Sequence, residues 1–324
     1  MTSAFPSSND FCGRACWCLP DREAGGMTVP ARFFCADAAR LRGDALAGTA
    51  PYGSVWILIE YRAGWPVNGF DGLDLEPEVR ARVYAAAQAL RARMLLIRRH
   101  GRRRPDDPPR WAVLRYDGDG AHRQRWGVWR NDTDLAEIVD ALDSPGERDH
   151  PPVVLVCAHG THDACCAVRG RPVGRALSER WPELVWECTH VGGDRFAANV
   201  VVAPDGVYYG NLDAASAVAV VEGHLADRIG ADHLRGYTDL VPSQQAALSA
   251  VLRHAGPSGR HDYAIGETVR EGDRWRIRVT GRLAGLSAFE VEVRAHRSPP
   301  LRLTCRGLSP ASAVSYEVVS LRVG

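Results

Sequence analysis

Two short segments of the chain concentrate the residue types that bind metals or act as nucleophiles. CAHGTHDACC (residues 157–166) contains three of the nine cysteines, and CTHVGGDRFAAN (residues 188–199) combines a thiol, an imidazole, a carboxylate and a guanidinium around two glycines. Each follows an apolar run, PVVLVC or LVWEC, that predicts a buried strand. We therefore expect both loops at the ends of neighbouring strands, where their side chains act together.

Two nucleophilic chemistries fit these segments poorly. Cysteine-dependent phosphoryl transfer needs an anion cradle between its cysteine and its arginine, but here Asp194 lies between Cys188 and Arg195 and would repel phosphate. Thiol–disulfide exchange is served by two cysteines separated by two residues at a helix N-terminus. Cys165 and Cys166 are adjacent instead, a spacing that makes a strained disulfide.

Two metal chemistries are also open to these residues. Structural zinc accepts mixed Cys and His ligands, usually paired at a separation of about two to four residues, whereas Cys157 and Cys166 are separated by eight. A two-iron iron–sulfur cluster is wider than a single ion and takes its ligands from two loops, one for each iron. Soft and borderline ligands in two facing loops suit such a cluster.

The order of predicted elements indicates an α/β protein with two thioredoxin-like units, the first degenerate, followed by a small β-rich C-terminal module. Each unit has the order β-α-β, then paired strands, then a helix, and only the second carries the cysteines. We expect a loosely ordered lead over residues 1–27, units over 28–145 and 151–236, and a helix with antiparallel strands over 240–324.

Three local expectations follow from the same patterns. In the predicted helix RPVGRALSERW, Pro172 lies near the first turn, where proline is tolerated. Cys305 lies in a predicted strand, LRLTCRG, as a small buried residue. The cysteines of the N-terminal lead have little support as a second metal site; they are Cys12, Cys16 and Cys18.

Composition limits the classes of partner and the compartment. The formal net charge is +1, which gives no overall attraction to nucleic acid or to anionic membranes. No apolar run approaches the roughly 20 residues that span a bilayer, and the first residues lack the pattern of a secretory signal. We therefore expect a cytoplasmic protein whose thiols stay reduced and serve as ligands or catalysts.

Three segments resemble the sucrase/ferredoxin-like family, whose members are related to the thioredoxin-like [2Fe–2S] ferredoxins. The resemblance is most specific in CAHGTHDACCAVRGRPV (residues 157–173) and VWECTHVGGDRFAANVVVAPDGVYYG (residues 185–210), and looser in LAGTAPYGSVWILIEYRAGWP (residues 46–66). It implies a thioredoxin-like body that holds a [2Fe–2S] cluster. The "sucrase" part of the family name has no counterpart here, because no pair of carboxylates suggests a glycosidase.

The resemblance also implies a set of ligands. In such proteins two cysteines of the first loop and two residues at i, i+4 in the second loop bind the cluster, which here are Cys157 and Cys166, then His190 and Asp194. Some relatives have histidine at both positions of the second loop, so aspartate leaves the fourth ligand open. Cys188 or Cys165 could replace it, or Asp194 could hydrogen-bond a ligand instead.

Several neighbouring residues are expected to support the site. Gly192 and Gly193 permit close approach of the backbone, and Arg195 either compensates the cluster's charge, contacts a partner or forms a surface ion pair. The remaining assignments concern the two loops: His159 orients the first loop as a hydrogen-bond donor, His162 is exposed, Asp163 caps the turn, and Asn199 ties the second loop through its amide.

These expectations give an electron-transfer protein with a [2Fe–2S] cofactor. No dinucleotide-binding fingerprint occurs in the sequence, so electrons are expected from a separate flavin- or NAD(P)H-dependent reductase and pass to an unknown acceptor. Binding to nucleic acid or to a membrane is not expected. The alternative is a thiol-based redox enzyme or a metal-free interaction scaffold on the same fold.

Overall fold

The computed structural model describes residues 32–101, 107–117, 122–144, 146–148, 150–307 and 309–324. The chain from Phe33 to Gly324 forms one compact unit, and the N-terminal cysteines lie outside the described residues. The division into 28–145, 151–236 and 240–324 therefore stays a prediction.

The first half of the fold is built around strands with apolar side chains. Every residue of its first strand is buried, which explains the unbroken apolar run VWILI before Glu60. Its elements are α1 (Cys35–Arg42), β1 (Val55–Glu60), α2 (Pro77–Ala89), β2 (Arg93–Arg98), β3 (Arg110–Tyr116), β4 (His122–Val128) and α3 (Glu137–Asp143).

The second half repeats this order with the cysteine loops added. Its elements are β5 (Val153–Cys157), α4 (Ala164–Arg180), β6 (Val185–Cys188), β7 (Val200–Ala203), β8 (Val207–Tyr209), α5 (Ala214–Leu225) and β9 (Leu234–Tyr237). The predicted hairpin is present as β7 and β8, which pair antiparallel.

Both halves share one nine-stranded sheet in the order β4-β3-β1-β2-β6-β5-β7-β8-β9. Each half contains a parallel pair of strands, β1 with β2 or β5 with β6. Two antiparallel strands continue the sheet on one side of each pair, β3 and β4 beside β1, and β7 and β8 beside β5. The halves meet where β2 pairs antiparallel with β6. This repetition confirms the predicted class of two thioredoxin-like units, and it places the second unit's loops beside the centre of the sheet.

The C-terminal module is a second, antiparallel sheet. It contains α6 (Pro242–Ala255), β10 (Tyr263–Glu271), β11 (Arg274–Gly281), β12 (Ala288–Arg297) and β13 (Val314–Val323), with the strands in sequential order. Apolar residues of α6 pack against buried residues of β11 and β12, and these belong to the same core as β5 and β7. The module is thus joined to the second half through a continuous apolar core.

The prediction of a strand around Cys305 was wrong. Cys305 lies in a bend between β12 and β13, where Leu301 forms only an isolated bridge to Ala311. Two consecutive prolines, Pro299 and Pro300, precede this segment, and proline cannot donate to a β-ladder. The thiol is therefore presented by an irregular loop.

The position expected for Pro172 was also wrong. Helix α4 begins at Ala164, capped by the side chain of Asp163, so Pro172 lies well inside it. The carbonyl group that loses its partner belongs to Val168, which is exposed like Pro172, so water can satisfy it. Among the described residues, no helix is both long and apolar enough to cross a bilayer.

Candidate metal centre

The two loops start at the same edge of the sheet. Strands β5 and β6 are parallel neighbours in which Cys157 pairs with Cys188, and the Ala158 N–H donates to the Cys188 carbonyl at 3.0 Å. From this point one loop leads into α4 and the other into the Gly192–Gly193 turn. The predicted strand ends therefore do bring the two loops together.

The four residues named as ligands are linked by contacts through His190 and Cys166. Cys166 Sγ is 3.7 Å from His190 Nδ1 and 3.8 Å from Asp194 Oδ1. Cys157 Sγ is 4.0 Å from the same His190 nitrogen, which is 3.0 Å from Asp194 Oδ1. We call these four residues the mixed-ligand site.

Close packing of α4 on β5 creates this geometry. Gly170 faces the end of β5, and a Cβ at that position would overlap the backbone carbonyl oxygen of Cys157. The glycine therefore lets the helix approach closely enough to set Cys166 beside Cys157. Sequence reasoning missed Gly170, although a glycine within a helix is a signal of close packing.

The second loop is held by a buried arginine that sequence reasoning also missed. Arg235 of β9 donates through NH1 to the Gly192 carbonyl at 2.7 Å and to Asn199 Oδ1 at 2.9 Å. Asn199 donates in turn to the Gly193 carbonyl at 3.0 Å, as predicted. Both glycines have positive φ, 93° and 81°, a conformation that glycine adopts without strain. Burial lowers the pKa of Arg235 to about 10.

The histidines of the first loop orient His190. His159 is buried; its Nδ1 accepts the His190 N–H at 3.2 Å and its Nε2 donates to the Pro66 carbonyl at 2.9 Å, in agreement with its predicted role. His162 was expected simply to be exposed. Its side chain is 34% exposed, but its ring stacks on His190 with centroids 3.9 Å apart.

Two further predictions concern charged side chains at the loop ends. Asp163 accepts the Cys165 N–H at 2.8 Å, which confirms it as the cap of α4. Arg195 Nε lies 3.3 Å from Asp44 Oδ2, so its charge is compensated there and the ion-pair interpretation holds.

The other two cysteines considered for the fourth ligand lie elsewhere. Cys188 is fully buried at the end of β6, and among the described residues it belongs to none of the groups of potential ligands that lie within 4.8 Å of one another. Cys165 belongs to a different group, with Cys35, Asp163 and Cys305. Asp194 contacts Cys166 and His190, and it forms a second group of potential ligands with His190 and His162, whose Nε2 is 4.0 Å from Asp194 Oδ1.

The electrostatics of the mixed-ligand site favour charged forms of three of its side chains. The Cys166 thiol lowers the pKa of Cys157 well below its usual value, against burial and with help from His190. Burial lowers the pKa of His190, but Asp194 and Cys157 outweigh it and raise it to about 9. Burial raises the pKa of Asp194, but His190 outweighs it, so the pKa is lowered. A thiolate and a carboxylate are therefore available as anionic ligands. Cys157 raises the pKa of the Cys166 thiol, so Cys166 and the protonated His190 would each release a proton on binding a metal.

One edge of the site opens to the surface. A cleft of about 410 Å³ is lined by side chains from both loops and from the first half of the fold, including His190, His162, Phe70 and Arg306. The side chain of His190 is 20% exposed, against 7% for Asp194, while Cys157 and Cys166 are buried. His190 is therefore the candidate ligand that an approaching molecule reaches first.

Comparison with known proteins identifies the family. The family model described as "Sucrase/ferredoxin-like" matches residues 46–236, which is more than half of the chain. The match covers both loops and the nine-stranded sheet as far as β9, and it leaves out the C-terminal module. No match was found among curated proteins or among solved structures. The chain belongs to the sucrase/ferredoxin-like family.

Proposed function

We propose that the chain is an electron-transfer protein whose mixed-ligand site binds a [2Fe–2S] cluster. The observation that carries the proposal is the meeting of two buried thiols, an imidazole and a carboxylate from two loops at one sheet edge. Cys157 and Cys166 would bind one iron, and His190 and Asp194 the other. When bound, such a cluster accepts and releases one electron.

The distances of 3.0–4.0 Å among the ligand atoms would also fit a single ion. The family and the open edge at His190 favour the cluster, because structural zinc sites are closed. His159 accepts the His190 backbone N–H and so holds the backbone of that residue in place. The Arg235 and Asn199 hydrogen bonds fix the turn between His190 and Asp194.

The cleft beside His190 supports exchange of electrons with a second protein. Its lining includes the His190 and His162 rings, which lie in contact, so a docked partner would approach the site through these two rings. We assign the donor role to a separate flavin- or NAD(P)H-dependent reductase. A cytoplasmic location agrees with thiol ligands that must stay reduced.

Spectroscopy and metal analysis test the proposal directly. Protein purified without oxygen should be reddish-brown and contain about two irons and two acid-labile sulfides per chain. Zinc without sulfide would contradict it and favour a structural ion, and colourless protein with peroxide- or disulfide-reducing activity would favour a thiol-based enzyme.

The docking role of the cleft has its own test. With a flavin-dependent ferredoxin reductase and NADPH, reduction of the His162→Ala variant should be slower than that of the unaltered protein, with iron content unchanged. His296→Ala is the control, because His296 is an exposed histidine on β12, in the other sheet. Equal rates for the two variants would remove His162 from the docking surface.

A further inference from the structure

A second group of potential metal ligands lies on the other side of the α4 N-terminus. Three segments far apart in the sequence supply it: the start of α1, the first turn of α4 and the bend between β12 and β13. We call it the three-cysteine site, and its members are Cys35, Asp163, Cys165 and Cys305. One ligand atom from each residue lies within 4.8 Å of all the others.

The spacing of these atoms suits a tetrahedral ion. Zinc binds thiolate sulfur at about 2.3 Å, so tetrahedral sulfur ligands lie about 3.8 Å apart. Here Cys165 Sγ is 3.4 Å from Cys305 Sγ, and Cys35 Sγ is 3.7 Å from Asp163 Oδ1. Only small adjustments would therefore enclose an ion among the four side chains.

Backbone amides already point at the sulfur atoms. The Cys35 N–H donates to Cys305 Sγ at 3.3 Å, and the Ala36 N–H donates to Cys165 Sγ at 3.5 Å. These donors belong to the first turn of α1, whose cap residue Phe34 offers no side-chain partner. Amide donors of this kind stabilise thiolates rather than thiols, as the hydrogen bonds around metal ligands do.

The carboxylate is held in place by the chain itself. Asp163 accepts the Cys165 N–H through Oδ1 at 2.8 Å and the Cys305 N–H through Oδ2 at 2.7 Å. It therefore fixes two of the cysteines around itself. The same two oxygens lie 3.7 and 3.8 Å from Cys35 Sγ, so the carboxylate faces all three cysteines.

We infer that the three-cysteine site binds one structural zinc ion. The ion would join α1, α4 and the loop before β13, and it would fix the first turn of α4, on which Cys165 and Cys166 serve the two different sites. A disulfide between Cys165 and Cys305 is the competing outcome. It would use two of the three sulfur atoms and leave Cys35 beside the Asp163 carboxylate.

Metal analysis of matched variants of the full-length chain tests the inference. Because Cys12, Cys16 and Cys18 could also bind zinc, all three are replaced by serine in the starting protein. That protein, purified without oxygen, should contain one zinc per chain. Cys305→Ser and Cys35→Ser should each lose it, whereas Cys188→Ser, which alters a buried cysteine outside the site, should keep it.

A reciprocal variant separates this site from the proposed iron–sulfur site. Cys157→Ser should lose iron and keep zinc, whereas Cys305→Ser should lose zinc and keep iron. Zinc that is unchanged by Cys305→Ser, or a Cys165–Cys305 disulfide in the intact mass of unreduced protein, would overturn the inference. Iron that is unchanged by Cys157→Ser would contradict the iron–sulfur assignment alone, and zinc that is unchanged by Cys305→Ser would contradict the zinc assignment alone.

Cobalt provides a measurement that does not depend on the folding of Cys35 or Cys305 variants. Cobalt(II) added to zinc-depleted Cys157→Ser protein, in the same starting background, should give thiolate-to-cobalt charge-transfer absorption and the visible bands of a tetrahedral ion. Both should saturate at one cobalt per chain and disappear when zinc is added back. Absence of these bands would contradict the tetrahedral three-thiolate site.

Discussion

Cys165 and Cys166 are neighbours in the sequence, but their side chains enter two different sites. Cys166 meets His190 and Asp194 beside the surface cleft, whereas Cys165 meets Cys305 in a site whose sulfur atoms accept backbone N–H groups. Successive residues at a helix start point in directions about 100° apart, so one turn serves both. The difference suits two roles, exchange with a partner at one site and cross-linking at the other.

The two sites also differ in how they are assembled. The mixed-ligand site takes its residues from two loops that follow paired strands, and the strand pairing alone brings them together. The three-cysteine site joins segments 128 and 140 residues apart, including the loop before β13 in the C-terminal module. Loss of the first should therefore affect redox properties, and loss of the second should affect stability.

The largest difference between the two sites is expected from Cys→Ser variants, each of which replaces one sulfur atom by oxygen. Cys157→Ser and Cys166→Ser should abolish the visible absorption and the bound iron, because each removes a thiolate from a four-ligand site. Cys35→Ser and Cys305→Ser should retain iron and lose zinc. Absorption spectra with iron and sulfide analysis measure this. Iron loss in all four variants would show that the sites are not separate.

Helix α4 offers the next test through two glycines one turn apart. Gly170→Ala would place a Cβ on the Cys157 carbonyl oxygen and push α4 from β5, so we expect a loss of about 1–3 kcal/mol of stability and a lower iron content. Gly174→Ala is the matched control, because its Cβ would meet Glu187 Cγ at an ordinary 3.5 Å. The control should retain iron and gain helix propensity of roughly 0.5–1 kcal/mol.

Denaturant unfolding and iron analysis of both glycine variants give the answer. Equal behaviour of the two would mean that close contact between α4 and β5 does not determine the geometry of the mixed-ligand site.

Removal of zinc should affect stability alone, without loss of iron. An ion that binds only the folded chain stabilises it by mass action, by about 2.7 kcal/mol when the free ion is at about 100 times its dissociation constant. Cys305→Ser, or a chelator applied to the unaltered protein, should therefore lower the thermal midpoint. Addition of chelator to Cys305→Ser should cause no further decrease, and a further decrease would locate the zinc elsewhere.

The meeting of the two loops was predictable from sequence, and the distant contacts were not. Residues such as Cys157 and His190 follow apolar runs that reveal their strands, and Asn199 and Asp163 act within a few residues of the loops they hold. Cys35 and Cys305 have no pattern that links them, since their contact depends on the path of the whole chain. Cys305 was even assigned to a strand that is absent.

Two residues that hold the mixed-ligand site in place were not predicted, and the reasons are physical. Helix α4 was predicted from Arg171, but it begins at Ala164, so Gly170 was not expected to lie in a helix at all. Arg235 lies in the short strand LRGY, whose polar residue gives no sign of burial, yet it is 1% exposed and holds the Gly192–Gly193 turn. Tertiary contacts, not local periodicity, determine both roles.

The smallest expected change concerns the reduction potential of the mixed-ligand site. Adding an electron to a more negative site costs more, so an aspartate ligand gives a lower potential than a neutral histidine. The potential should therefore lie between those of all-cysteine and bis-histidine sites, and Asp194→His should raise it.

Because His190 Nδ1 faces the other ligands, its Nε2 can carry a titratable proton, and the potential should fall as pH rises through that proton's release. Protein-film voltammetry across pH measures both effects, with Asp194→Asn as the isosteric control that removes the charge. An unchanged potential in Asp194→His protein with full iron content would show that Asp194 hydrogen-bonds His190 without binding iron.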